Sequence, residues 1–218
     1  MKLLQAMHLS ELQFKNIIFD WGGVITNIDP GKSAIAFRNL GFSDFEKHYG
    51  IAEQLNFYRW FEEGKMNASE FRRKLREFIP TKVSDEEIDQ AWSAMLLDTP
   101  RERLDLLGKL KNEYRTFLLS NTSPIHVEWY FDYLYKQYGV RGYRHLFEKV
   151  YFSYEMGIRK PDVRVFETIF NENNLIPDET LYIDDVLKNI EAAKSVGMLT
   201  YHLQIPETLT DIFENGQN

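Results

Sequence analysis

Four short apolar runs place the strongest constraint on how this chain can fold. They cover residues 17–19, 117–119, 150–152 and 181–183 and read IIF, FLL, VYF and LYI. Polar residues do not alternate with apolar ones in these runs, as they would in a strand with one face in water. The pattern is typical of central strands in a parallel sheet that is covered on both faces.

Helical patterns separate the later runs. Apolar residues recur at intervals of three or four within 100–112, 161–171 and 186–196. Since strands and helices alternate along this part of the chain, the sequence predicts a doubly wound α/β fold.

The stretch 31–97 has a different character, because it contains no convincing strand. Asn67 and Ser84 each precede a first turn that carries acidic residues, as helix N-caps do. The helical patterns in this stretch are 33–40, 52–63, 68–78 and 85–97.

A helical insert of this size after the first strand predicts a separate cap over the sheet. The predicted domains are a core of 14–30 plus 98–218, a cap of 31–97 and an N-terminal extension of 1–13. The alternative is a helical layer that belongs to the same domain as the sheet.

Composition excludes several classes of function. With 218 residues, a net charge of -7 and a pI of about 5.3, the chain lacks the basic surface that nucleic acids and anionic membranes require. It has no cysteine, so it has no disulfide, thiolate metal site or thiol nucleophile. The first residues do not resemble a signal peptide, and no apolar run is long enough to span a bilayer. We therefore expect a cytoplasmic protein; its oligomeric state is not encoded in any recognisable motif.

Polar residues stand at the end of every predicted strand. Asp20, Ser120 and Ser153 follow the first three runs, and Asp184 and Asp185 follow the fourth. In open parallel sheets, ligands bind beyond these carboxyl ends. Clustered carboxylates repel one another and normally need a cation or a proton between them, and Mg²⁺ with its oxygen ligands is well suited to this position. The sequence thus predicts a Mg²⁺ site at this edge.

Two further segments predict an anion site at the same edge. In SNTSP, Ser123 suits a helix N-cap with Pro124 in the first turn, so that the hydroxyl of Ser120, the side chain of Asn121 and the loop amides can bind an anion. In GIRKPD, the proline suits a helix start and would hold Lys160 at the helix N-terminus, where it could pair with a carboxylate and a phosphate.

Together these segments resemble, in order, the motifs of the haloacid dehalogenase-like hydrolases. They read FDWGGVI, LLSNTS, MGIRKPD and YIDDVLKNIEAAKSVGM, and the likeness covers nearly the whole chain. The helical insert, with WFEEGKMNASEFRRKL, resembles the small cap of the subgroup that contains 2-haloacid dehalogenases, β-phosphoglucomutase and many sugar phosphatases.

This resemblance implies a Mg²⁺-dependent phosphatase that acts on a small phosphorylated metabolite, possibly a sugar phosphate. Asp20 would attack phosphorus and form an aspartyl-phosphate. Asp20, the backbone carbonyl of Gly22 and Asp185 would bind the metal, while Asp184 would act through water or orient Lys160.

The resemblance also implies how the phosphoryl group is held. Ser120, Asn121 and Lys160 would bind it, so that Lys160 contacts both the nucleophile and the phosphate.

One position departs from the family pattern. Phosphatases of this family usually carry a second Asp two residues after the nucleophile, as general acid and base, and here that residue is Gly22. General acid–base catalysis is worth roughly 10²–10⁴ in rate. Some relatives share FDxGxV, among them bacterial glucose-1-phosphate phosphatases. Asp29 is a possible replacement, although a turn into the cap is the favoured interpretation of its Asp-Pro-Gly sequence.

Two other interpretations remain open. A metal-free haloacid dehalogenase would not need the Asp184–Asp185 pair. A catalytically weak relative that binds a metabolite or a protein is favoured only by Gly22. Aromatic residues in the cap, namely Phe57, Tyr58, Trp60 and Phe61, are candidates for substrate contact, although some must belong to the core. No role is predicted for His48 or His126.

Overall fold

A single parallel sheet forms the centre of the molecule. The computed structural model describes residues 12–45, 56–142 and 144–214. Five strands lie in the order β3-β2-β1-β4-β5. They are β1 Asn16–Phe19, β2 Arg115–Ser120, β3 Lys149–Phe152, β4 Thr180–Asp184 and β5 Leu199–His202. All four predicted runs form strands, and β5 is the one strand that was not predicted.

The central strands are buried on both faces, as their apolar runs predict. β1 pairs with β2 on one side and β4 on the other, so that Ile18 lies between Phe117 and Tyr182. Ile17 and Phe19 belong to the apolar cluster on one face, and Ile18 belongs to the cluster on the other. This three-layer arrangement confirms the predicted doubly wound α/β fold.

Helices connect each strand to the next along the chain. In chain order the described helices are α1 Pro30–Asn39, α2 Asn56–Glu62, α3 Ala68–Arg76, α4 Asp85–Ser93, α5 Arg101–Leu110, α6 Pro124–Tyr138, α7 Ser153–Met156, α8 Arg164–Asn173, α9 Leu187–Ser195 and α10 Leu209–Glu214. Short 3₁₀ turns cover Arg144–Leu146 and Pro177–Glu179. Among the helices so described, none combines the length and the apolar character that crossing a bilayer requires.

The helix predicted to start at Pro161 begins later than expected. Asp162 Oδ1 accepts a hydrogen bond from the backbone N–H of Arg164 at 3.1 Å, which makes a turn of the residues after the proline. α8 therefore begins at Arg164, and Lys160 lies in the loop before it rather than at its N-terminus.

Helices α1 to α4 share an apolar core, to which α6 adds Ile125. The rings of Phe37, Phe61, Phe71 and Trp92 are buried in it. Asn67 and Ser84 are N-caps, as predicted, and each forms a capping box with the glutamate three residues later. In the predicted helix 52–63, residues 52–55 lie outside the described part of the chain.

Two contacts illustrate how this helical layer packs against the sheet domain. Trp92 donates a hydrogen bond from Nε1 to Ser123 Oγ at 3.1 Å and stacks on His126. Gly64 approaches α7 so closely that a Cβ would lie 2.1 Å from the carbonyl oxygen of Tyr154. The division of the chain into core and cap remains a prediction, and residues 1–11 of the predicted extension lie outside the described residues.

Candidate active site

A cavity of about 200 Å³ opens at the carboxyl ends of the strands. The loops after β1, β2 and β4 line it, together with the loop before α8 and residues of the helical layer. The lining residues are Asp20, Trp21, Gly22, Ile28, Glu62, Met95, Leu96, Ser120, Asn121, Thr122, His126, Tyr130, Arg159, Lys160, Asp185, Val186 and Asn189. Most of the residues predicted from strand ends thus meet in one cavity.

Asp20 is the first residue after β1, at the bottom of the cavity. Its N–H donates to the carbonyl of Ile183 at 2.9 Å, which extends the strand pairing and fixes the backbone. Its Oδ1 accepts hydrogen bonds from the N–H of Trp21 at 2.7 Å and forms an ion pair with Lys160 Nζ at 2.8 Å. Burial raises the pKa of Asp20 to about 7, against the lowering effect of Lys160.

Lys160 is the cation that joins the carboxylates. Its side chain is 1% exposed, and Nζ contacts Asp20 Oδ1, Asp184 Oδ2 and the carbonyl of Leu119 at 2.8, 2.8 and 3.0 Å. Burial lowers the pKa of Lys160, but Asp184 and Asp20 outweigh burial and hold it above its ordinary value. The ammonium group is therefore charged and fixed in position.

Asp184 is fully buried at the end of β4, and both of its oxygens are occupied. Oδ1 accepts from the N–H of Val186 at 2.7 Å, and Oδ2 accepts from Lys160 Nζ and from the hydroxyl of Tyr182. Asn189 Nδ2 donates to both oxygens, at 3.1 and 3.0 Å. A carboxylate with this many donors orients Lys160 and has little capacity left for a metal ion.

Asp185 is the more accessible member of the pair and lines the cavity. Burial and the neighbouring Asp184 raise its pKa. One carboxylate oxygen from each of Asp20, Asp184 and Asp185 lies within 4.8 Å of the others. Because hydrogen bonds occupy both oxygens of Asp184, Asp20 and Asp185 are the members of this cluster that could hold a metal ion. The donor set consists of hard oxygens, which fits Mg²⁺.

The two glycines after the nucleophile differ in what they tolerate. A Cβ on Gly22 would meet only the side chain of Ile28, at 3.4 Å. Gly23 has a φ of +79°, and a Cβ there would lie 2.2 Å from Asp185 Oδ2. Gly23 therefore makes room for the Asp185 carboxylate.

The end of β2 and the loop after it contribute Ser120, Asn121 and Thr122 to the lining of the cavity. The side chain of Asn121 is engaged with the Lys160 backbone: Oδ1 accepts from its N–H at 2.9 Å, and Nδ2 donates to its carbonyl at 3.0 Å. Thr122 N–H donates to Ser153 Oγ at 3.0 Å. Ser153, the other predicted strand-end residue, thus supports this loop and does not line the cavity.

Several residues that line or support the cavity were not predicted from the sequence. Arg103, itself outside the cavity, donates from Nη1 to the carbonyls of Val24 and Ile25, at 3.2 and 3.3 Å, and so holds the loop after Asp20. From the helical layer, Glu62 reaches the cavity and forms an ion pair with Arg159 at 3.3 Å. The sequence predicted helices in this region, but helix and capping patterns do not show which side chain faces the sheet.

Other candidates lie away from the cavity or have partners elsewhere. Asp29 is the N-cap of α1 and accepts from the N–H of Gly31 at 3.0 Å, which agrees with the turn interpretation. Phe57, Tyr58 and Phe61 are buried in the helical core, so the idea that they contact substrate is not supported. His126 Nε2 lies 3.1 Å from the carbonyl of Trp92, and burial lowers the pKa of His126 to about 4. His48 lies outside the described residues.

Comparison with known proteins finds relatives over most of the chain. The model of the family described as haloacid dehalogenase-like hydrolase matches residues 14–197. A D-ribitol-5-phosphate phosphatase of Bacteroides thetaiotaomicron is 34% identical over 187 residues, which are 86% of this chain and 90% of that protein.

Solved structures show the same architecture. A haloacid dehalogenase family enzyme of Bacteroides thetaiotaomicron, in complex with magnesium and inorganic phosphate, is 34% identical with a TM-score of 0.83, and the match covers 92% of this chain and 99% of that one. A hydrolase of Porphyromonas gingivalis is 28% identical with a TM-score of 0.82 over 94% of this chain and 99% of its own. With the family model matching most of its length, this protein belongs to the haloacid dehalogenase-like hydrolases.

Proposed function

We propose that this protein is a Mg²⁺-dependent phosphatase that hydrolyses a small phosphorylated metabolite through an aspartyl-phosphate on Asp20. The observation that carries the proposal is the arrangement of Asp20, Lys160 and Asp185 in one cavity at the ends of the strands. The complex of a relative with magnesium and inorganic phosphate supports the same chemistry.

Asp20 supplies the nucleophile. A carboxylate oxygen forms a bond to phosphorus while the bond from phosphorus to the leaving oxygen breaks, and the leaving oxygen takes its proton from water, since Gly22 supplies no acid. Water then hydrolyses the acyl phosphate, which releases inorganic phosphate and restores the carboxylate. The N–H of Trp21 and Lys160 Nζ fix the orientation of the carboxylate before substrate binds.

The metal site comprises Asp20, the carbonyl of Gly22 and Asp185. Mg²⁺ bound there neutralises charge between the carboxylates and the phosphoryl group. Asp184 was also a candidate ligand, but its many hydrogen bonds support the other role suggested for it, the orientation of Lys160.

The phosphoryl group is held by Ser120, Asn121 and Lys160. Because the side chain of Asn121 is bonded to the backbone of Lys160, we assign its backbone N–H to the phosphate. Asn121 also keeps the loop of Lys160 next to Ser120, which brings the cation and the hydroxyl to the same side of the cavity.

The helical segment 31–97 covers the cavity as a cap, and 14–30 plus 98–218 form the core. The apolar core that α1 to α4 share and the contribution of Glu62 to the cavity support this division. The relative that acts on D-ribitol-5-phosphate favours a phosphate ester of a sugar or sugar alcohol as substrate.

Two other functions have weaker support. Gly22 removes the usual general acid and favours a catalytically weak binding protein. However, burying the charged groups of Asp20, Lys160 and Asp184 together destabilises the fold unless the charges compensate one another or serve a function. A metal-free dehalogenase gives no reason for an accessible Asp185 beside the nucleophile.

Phosphate release tests the proposal directly. We would assay the parent and Asp20→Asn on sugar phosphates, sugar-alcohol phosphates, nucleotides and an aryl phosphate, with and without Mg²⁺. The expected result is metal-dependent release by the parent and a loss of at least about a thousandfold in the variant, which has the same shape but no nucleophile. Release that persists in folded Asp20→Asn, or that needs no metal, would overturn it.

A further inference from the structure

One ion pair in the cavity lies apart from the carboxylate cluster. Glu62, at the end of α2, projects from the helical layer, and Arg159 comes from the loop that carries Lys160. Their closest contact joins Arg159 Nη2 and Glu62 Oε2 at 3.3 Å, and the side chains are 34% and 13% exposed. The pair therefore connects the two sides of the cavity above the predicted reaction centre.

Both charges have fewer hydrogen bonds than they can form. Within the described residues, Glu62 has no partner besides Arg159, although a carboxylate has two acceptor oxygens. Arg159 Nε is buried and lacks a partner in the same part of the chain. Burial raises the pKa of Glu62, which shows that Arg159 does not fully compensate for its loss of water.

Neighbouring charges in the helical layer are paired more completely than Glu62 and Arg159. Glu63, the next residue, is bonded at 2.7 Å to Arg59 and at 2.6 Å to Lys65. Arg72 binds Asp89 with two hydrogen bonds, at 2.8 and 2.6 Å. Because comparable pairs in the same helical layer are saturated, the open positions on Glu62 and Arg159 are available to a ligand.

The remaining surface of this part of the cavity is mostly apolar. Ile28, Met95, Leu96 and Val186 line it, and the ring nitrogen Nε2 of His126 is taken up by the carbonyl of Trp92. Among the charged residues of the lining, Glu62 and Arg159 are the pair that the proposed metal and phosphate sites do not use. A carboxylate that accepts beside a guanidinium that donates suits hydroxyl groups, which do both, whereas a second anionic group would face the carboxylate.

We propose that Glu62 and Arg159 bind the hydroxyl groups of the leaving part of the substrate and so select neutral, polyhydroxylated phosphate esters. The inference rests on the proposed phosphatase function and names the residues that give it specificity. A substrate hydroxyl that donates to Glu62 and accepts from Arg159 replaces the water that both groups lose in the closed cavity.

Kinetics of Glu62→Gln and Arg159→Gln test the proposal. Two substrates are compared in the presence of Mg²⁺: an open-chain sugar-alcohol phosphate, and an aryl phosphate that has no hydroxyl group. We expect kcat/KM for the sugar-alcohol phosphate to fall roughly tenfold to hundredfold, mainly through KM, because a hydrogen bond to a charged group is lost. The aryl phosphate should change less than about threefold, since it makes none of these contacts.

Glu155→Gln is the matched control. Glu155 also forms a single long ion pair, to Arg144 at 3.4 Å, but does not line this cavity. It should leave both substrates unchanged. Thermal unfolding of all three variants shows whether they remain folded.

The outcomes separate this inference from the function on which it rests. Equal losses on both substrates would overturn the recognition role and indicate that the pair only holds the helical layer in place. A parent that hydrolyses the aryl phosphate but no hydroxylated ester would also overturn it. A parent that releases phosphate from no ester would instead contradict the phosphatase proposal itself.

Discussion

The two sides of the cavity differ in how completely their charges are paired. On the side of the sheet, Lys160 Nζ has three partners within 3.0 Å, and Asp184 accepts hydrogen bonds at both oxygens. Where the helical layer meets the loop before α8, Glu62 and Arg159 share one contact of 3.3 Å.

We relate this difference to the parts of the bound substrate: the phosphoryl group and the metal ion are the same in every turnover, whereas the leaving group varies. A phosphoryl group and a metal ion present the same charges in every turnover, so donors fixed in advance stabilise the transition state without reorganisation. The leaving group differs from one ester to another, and groups with free hydrogen-bonding positions can adapt to it. The sheet side should therefore respond to substitution in its rate of reaction, and the helical side in its choice of substrate.

Apart from loss of the nucleophile itself, the largest effect should come from Lys160→Ala. Asp20 and Asp184 would lose the cation between them and repel each other, and the phosphate would lose its fixed side-chain cation. We expect turnover to fall roughly a hundredfold to a thousandfold, as when a preorganised charge is removed from an active site. Steady-state kinetics with saturating Mg²⁺ measure it. Lys136→Ala, on an exposed lysine paired with Asp132, is the control, and similar rates in both variants would contradict the comparison.

Substitutions at the two adjacent aspartates should have different effects, on stability at Asp184 and on metal binding at Asp185. Asp184→Asn removes one of the two carboxylates that pair with buried Lys160 and turns an amide N–H toward other donors, so we expect the free energy of unfolding to fall by about 1–3 kcal/mol. Asp185→Asn should leave stability nearly unchanged but raise the Mg²⁺ concentration needed for half-maximal activity, since it removes an accessible ligand. Denaturant unfolding and Mg²⁺ titration distinguish the two. If Asp185→Asn proves the more destabilising variant, the assigned roles are reversed.

Apolar runs predicted the sheet well because burial on both faces leaves a clear mark on a sequence. β5 escaped prediction for the opposite reason: Leu199–His202 is a half-buried edge strand whose sequence, LTYH, mixes polar and apolar residues. The predicted start of α8 at Pro161 was wrong. Proline marks a possible helix start, whereas the turn at Asp162 determines where the helix begins.

On the sheet side, position in the sequence nearly determines position in space. Asp20, Ser120 and Asp185 could be placed together because parallel strands end at one edge of the sheet. Glu62 and Arg159 could not, because their approach depends on how a helical layer packs against a loop about a hundred residues away. Neither residue type nor spacing carries that information.

The two glycines after Asp20 provide a smaller and more local test. Gly23→Ala places a Cβ against the Asp185 carboxylate and strains a residue with φ of +79°, so we expect roughly a tenfold loss of activity at limiting Mg²⁺. Gly22→Ala has room beside Ile28 and should remain within about threefold of the parent. Kinetics at several Mg²⁺ concentrations check both. If both variants lose activity to the same extent, Gly23 is not required to make room for the Asp185 carboxylate.

The smallest effect concerns stability where the helical layer meets α6. Burial lowers the pKa of His126 to about 4, so the folded protein favours the neutral ring. The unfolded chain has the ordinary value near 6.5 and binds a proton first as the pH falls, so the stabilisation is complete above pH 6.5 and is lost on the way down to pH 4. Between pH 7 and pH 5 the loss should reach up to about 2 kcal/mol in the free energy of unfolding.

His126→Gln removes this titration and keeps a polar side chain beside Trp92. The carbonyl of Trp92 retains a hydrogen bond from Ser33 Oγ at 2.8 Å, so the variant does not leave a buried acceptor unpaired. Other groups, including Asp20, titrate in both proteins and cancel in the difference. Urea unfolding at pH 7 and pH 5 should therefore show a smaller decrease for the variant than for the parent. Equal decreases would mean that His126 titrates in the folded protein as it does in the unfolded chain, so that burial does not hold its ring neutral.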